Sequence, residues 1–72
     1  MPLQTAKEFA SAAANMGLLA TQFKPDDANR DVSVGIFPYS EACKLIQYHL
    51  ISASIKAREI AEALAQKEVQ GG

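Results

Sequence analysis

Residues 40–69 read SEACKLIQYHLISASIKAREIAEALAQKEV, and this stretch decides the fold. Within it Ile46, Leu50, Ala53, Ala57, Ile60 and Leu64 recur at steps of four, three, four, three, four. A 3.5-residue period marks a helix-packing seam. The spacing predicts one long helix over 41–69, roughly 43 Å at about 1.5 Å per residue. Ser40 stands where an N-cap belongs, and Glu41 complements the positive end of the helix dipole. The residues after it, 70–72, are read as a fraying tail.

The long helix has two halves of different character. Over 42–55 it is apolar almost all round, with Leu45, Ile46, Tyr48, Leu50, Ile51 and Ile55 covering most of the circumference. A helix hydrophobic on all sides is buried on all sides. From Lys56 onward the pattern is one-sided: Ala57, Ile60, Ala61 and Leu64 keep a stripe, while Arg58, Glu59, Glu62 and Gln66 face water. Leu45, Tyr48, Ser52 and Ile55 form a second stripe that points away from the seam. In a lone hairpin they form an exposed apolar patch, the usual mark of an interaction surface.

Working outward, Thr5-Ala6-Lys7-Glu8 matches a capping box ahead of an apolar-periodic run. It predicts a first helix over 6–22, roughly 25 Å long. Its stripe is Ala6, Phe9, Ala10, Ala13, Met16, Gly17, Ala20 and Phe23. The small residues at its centre permit close approach of another helix. Gly17 is a weak point, costing about 1 kcal/mol relative to Ala, and a kink or an early end near 15–17 is the alternative to an unbroken helix. Residues 24–38 connect the helices. Pro25-Asp26-Asp27 carries turn chemistry, and Pro25 equally suits the start of a single helical turn through Arg30. Val32, Val34 and Ile36 alternate with polar residues and glycine, which reads as extended chain. That segment either lies along the helices as irregular structure or pairs with its copy in another subunit. A connection this long is more apt than most to carry function.

The chain has 72 residues, so it is expected to form one domain, 1–72. A domain of about this size buries only roughly 60% of its unfolded surface and is marginal alone. The unequal helices reinforce the point, since part of the longer one must project or meet another chain. Seven basic and eight acidic side chains, with no basic run, argue against DNA as a partner. The single cysteine rules out an internal disulfide framework and fits a reducing, cytoplasmic setting. No window suits a signal peptide or a membrane span.

Candidate chemistry is sparse. Cys43 lacks a placed base and reads as a small buried hydrophobe. His49 is the sole histidine, so neither a histidine pair for a metal nor a Glu-x-x-His di-metal set exists. Arg58 and Glu62 suit an exposed pair worth a few tenths of a kcal/mol. Two aromatic-polar clusters flank the connection, Phe23-Lys24 and Phe37-Pro38-Tyr39-Ser40. Both phenylalanines suit core caps. Aromatics also stack on bases, and cations or a helix start hold phosphates. Lys24, Arg30, Phe37, Tyr39 and Arg58 are therefore the candidate ligand-binding residues, and Leu45, Tyr48, Ile51 and Ile55 the candidate interface. No metal, cofactor or catalytic residue is expected, and the chain reads as a binding protein, not an enzyme.

Leu50-Ile51-Ser52-Ala53-Ser54-Ile55-Lys56-Ala57-Arg58-Glu59-Ile60-Ala61 has the form Leu-x-x-Ala-x-x-x-Ala-x-x-Ile-Ala, preceded by Pro38 and Glu41. This is similar to the second helix of phage hairpin proteins that sequester cyclic-nucleotide immune signals, the anti-CBASS and anti-Thoeris sponges. The resemblance implies an oligomeric hairpin binding an anionic nucleotide between subunits. Arg58 stands where that pattern has asparagine, Glu62 where a basic residue often follows, and the first helix lacks its His and Arg. The resemblance therefore transfers no site residue. Together these readings give an all-α fold: a helical hairpin, shorter first helix and long second, with an extended connecting loop, assembling as a homo-oligomer. The alternative function is an adaptor or inhibitor docking onto a protein partner through the apolar face of the second helix.

Overall fold

The first helix begins where the capping box sets it. The Thr5 hydroxyl accepts from the Glu8 amide at 3.1 Å, and the Glu8 carboxylate accepts from the amides of Thr5 and Gln4 at 2.9 and 2.8 Å. Three donors at a helix start thereby gain partners. The computed structural model describes residues 1–71; Gly72, the end of the expected tail, lies outside the described residues. Helix α1 spans Ala6–Ala20. It runs through Gly17 without a break. It ends two residues before the predicted boundary because 21–23 wind more tightly: Thr21, Gln22 and Phe23 donate to Leu18, Leu19 and Ala20, three residues back.

The connection is more ordered than its composition suggested. Asp26 accepts from the Asn29 amide at 3.1 Å and caps a single 3₁₀ turn, Asp27–Asn29. Two short strands follow, β1 (Ser33–Val34) and β2 (Phe37–Pro38), paired antiparallel with Val34 opposite Phe37. Gly35 supplies the positive φ, 62°, that the two-residue turn between them needs. The expected extended segment thus pairs within its own chain, neither lying unpaired nor waiting for a copy of itself. The two-strand ribbon is the one departure from an all-α hairpin among the described residues. It runs straight into the second helix, the Tyr39 amide donating to the Val32 carbonyl at 2.9 Å.

Helix α2 spans Tyr39–Gln70. It starts two residues earlier than predicted, with Pro38, not Ser40, at the N-cap and no side chain capping it. Pro38 fits because its fixed φ is compatible with both the strand and the helix start. At about 1.5 Å per residue α2 is roughly 48 Å long against roughly 22 Å for α1. The molecule is accordingly a rod, 56 × 20 × 19 Å.

Two hydrogen bonds fix how the helices pair. Gln47 Nε2 donates to the Ala20 carbonyl at 3.1 Å, a second bond to the acceptor that the Phe23 amide already uses at the end of α1. Glu68 Oε2 accepts from the Ala6 amide at 2.9 Å, placing a carboxylate at the positive end of α1. The helices are therefore antiparallel, with α1 lying along residues 47–68 of α2.

The core between them is made of small side chains. Ala13, Ala20, Cys43, Ala57 and Ala61 are buried, and no large side chain is fully buried among the described residues. The α2 seam corrects the sequence reading. Cys43, Gln47, Leu50, Ser54, Ala57, Ala61 and Leu64 turn inward, whereas Ile46, Ala53 and Ile60 are exposed. Leu50, Ala57 and Leu64 belong to both lines. The physical reason is shape: alanine, serine and cysteine let the backbones approach closely, and bulky isoleucines on that line would hold α1 away. On α1 the expected stripe turns inward except for Ala10, which is exposed.

Candidate functional site

The connection brings four of the five candidate ligand residues to one end of the rod. Lys24 follows the tight turn after α1, Arg30 closes the 3₁₀ turn, Phe37 lies in β2, and Tyr39 opens α2. Lys24 and Arg30 are exposed, Phe37 presents much of its ring, and Tyr39 is half-buried.

Tyr39 is more strut than platform. Its phenol sits among the Cys43 thiol, the Asn29 side chain and Asp26. The thiol holds the phenol pKa above its ordinary value, with burial and Asp26 adding to the shift while Asn29 opposes it. Cys43 is buried beneath this contact as a free thiol. Phe37 is thus the freer stacking surface of the pair. The same end also carries Asp26, Asp27, Asp31 and Glu41, which outnumber Lys24 and Arg30.

Arg58 does not join them. It lies on α2 about 28 Å along the axis from Tyr39 at about 1.5 Å per residue, so one chain cannot bring it to the loop end. Nor does it pair with Glu62. The ion pair on this stretch is Lys56–Glu59, at 2.8 Å and exposed, one turn apart.

The candidate interface residues Leu45, Tyr48, Ile51 and Ile55 are all exposed, Tyr48 at 65%. The Tyr48 ring meets His49 edge-on, centroids 5.8 Å apart. Sequence reasoning missed three groups that shape the molecule. Gln47 and Glu68 tie the two ends of α1, and both fall on the inward line that runs through Cys43 and Ala57. Ile36, at the ribbon's tip, is 91% exposed; the two-residue Gly35-Ile36 spacing between Val34 and Phe37 was its signal. Among the described residues no cluster of His, Cys, Asp and Glu has the makings of a metal site, and no helix is long and apolar enough to cross a membrane. Compared with known protein families, curated proteins and solved structures, the chain matches none of them.

Proposed function

We propose that the protein is a small oligomeric binding module that captures an anionic, nucleotide-type ligand between copies of itself. The observation behind this reading is the convergence of Lys24, Arg30, Phe37 and Tyr39 at the loop end of the rod. Cations meet phosphates and aromatic faces meet bases. The local excess of carboxylates sharpens the proposal. One loop end alone is a poor anion site, so the ligand needs Arg58 from another copy. A cyclic-nucleotide immune signal, as captured by the phage anti-defence sponges that residues 50–61 resemble, is the ligand class to try first.

The test is isothermal titration against cyclic di- and trinucleotides, with native mass spectrometry on the same samples. Arg30→Ala and Arg58→Ala should each weaken binding at least tenfold while the assembly persists, and added salt should weaken it further. Heat from none of the panel, with no thermal shift, would remove this reading. A second reading then stands in its place: an adaptor or inhibitor that docks onto a protein partner. The exposed outer stripe of Leu45, Tyr48, Ile51 and Ile55 favours it. Under that reading Tyr48→Glu, and not Arg30→Ala, abolishes partner binding.

A further inference from the structure

The residues that the sequence pattern marks as a seam, and that α1 leaves uncovered, have a place of their own. Ile46, Ala53 and Ile60 lie on one flank of α2, turned roughly 70–90° from the line that α1 covers, at 100° per residue. For two antiparallel right-handed helices, that flank shares a side of the hairpin with Phe9, Met16 and Leu19 of α1. All six are half-buried or exposed, Ile46 at 40% and Ile60 at 39%. The opposite side carries Lys7, Ala14, Arg58 and Glu62 beside Leu18 and Ile51. The first side therefore presents more large apolar side chains and the second more charge. The stripe on the first side also keeps the heptad step of a helix bundle.

Area indicates what covers it. A folded chain of 7.7 kDa ordinarily exposes about 4,300 Å². This one exposes 5632 Å². The excess, about 1,300 Å² per chain, falls within the half-share of an obligate homodimer interface, roughly 1,000–2,500 Å². A core of alanines and one cysteine is also too thin to hold a lone hairpin of this size.

We infer that this side packs against the same side of a second copy, forming a four-helix bundle in which Ile46, Ala53 and Ile60 point to the centre. Each helix of a bundle faces two neighbours, so its apolar stripe lies between the line toward one and the line toward the other. That explains why Leu50, Ala57 and Leu64 belong to both lines. The inference rests on the oligomeric part of the proposed function and on no ligand; Arg58, on the opposite side, stays open to the loop end of a further copy.

The experiment is sedimentation equilibrium of the full chain without ligand, at micromolar concentration. Wild type should run at no less than twice 7.7 kDa. Ile60→Glu and Leu19→Glu should each give the monomer mass, and Tyr48→Glu on the outer stripe should keep the bundle. Loss of folding in the Glu variants is guarded against by thiol labelling in a Cys43→Ala background. Ile60→Cys should react at least tenfold more slowly than Glu59→Cys in the native protein. A wild-type monomer overturns both this inference and the oligomeric reading. An oligomer that Tyr48→Glu dissociates and Ile60→Glu does not, or equal labelling at the two positions, overturns the face alone.

Discussion

The side of α2 that meets α1 and the sides that do not are built from different residues. Inside the hairpin stand buried Ala57, Ala61 and Cys43, with Ser54, Leu50 and Leu64 half-buried beside them; outside stand Ile46, Ile60, Leu45, Tyr48, Ile51 and Ile55. In a self-sufficient domain the large apolar side chains are the ones most often buried. Here the order is inverted. The contact within the chain is chosen for close approach, which fixes geometry while removing little apolar area from water. The larger apolar side chains are left on the outside of the hairpin.

The inner contact can be broken directly. Ala57→Leu forces a large side chain into the seam and should lower stability by about 1–3 kcal/mol. Chemical denaturation reads this, and a change below about 0.5 kcal/mol would mean that the seam is looser than it looks. Gln47→Leu removes the donor to the Ala20 carbonyl, the seam's polar pin. It should cost about 1 kcal/mol, the usual net worth of such a bond. If stability is unchanged, water replaces the bond at no loss and packing alone sets the register.

The smallest effect belongs to the α1 cap and is a pH effect. The Gln4 and Thr5 amides hold the Glu8 carboxyl below the ordinary glutamate value of 4.5. A depressed acid contributes stability that is full above its unfolded-state pKa and is lost as pH falls through the folded one. Glu8→Gln keeps a capping-box side chain but cannot titrate. The Tm gap between wild type and Glu8→Gln should therefore be constant near neutrality and narrow below about pH 4.5. Parallel melting curves across that window would show that the carboxylate charge contributes nothing at the cap.

Much of the hairpin was legible in the sequence, for local reasons. Thr5 and Glu8 announced α1, and the seven-residue repeat announced α2. What escaped was relational. The apolar pattern around Ile46, Ala53 and Ile60 records a residue's total burial, not which helix buries it, so it could not say that α1 faces the line through Gln47 and Ser54 instead. The ribbon escaped because its strands are two residues each and the alternation of Val32, Val34 and Ile36 ran straight across its turn. Its true signal was the turn, with Gly35 alone supplying the positive φ. For the candidate site, proximity in sequence alone already placed Lys24, Arg30, Phe37 and Tyr39 in or beside one connection. The length predicted for α2 already set Arg58 apart, about 26 Å from a helix start at 41.

The seam of α2 steps by four and three without interruption from Cys43 to Glu68, a bond partner of α1. An α-helix repeats every 3.6 residues, so a line of this kind drifts about 20° per heptad and α1 must wind about α2 with a left-handed sense. The consequence concerns length, not composition. One residue inserted between Lys56 and Ala57 would turn everything beyond it by about 100°. Ala57, Ala61 and Leu64 would leave the groove, and Glu68 would lose the start of α1. Seven inserted residues would keep the stripe in phase. The helix is thus a ruler graduated in sevens, closed to single-residue changes in length.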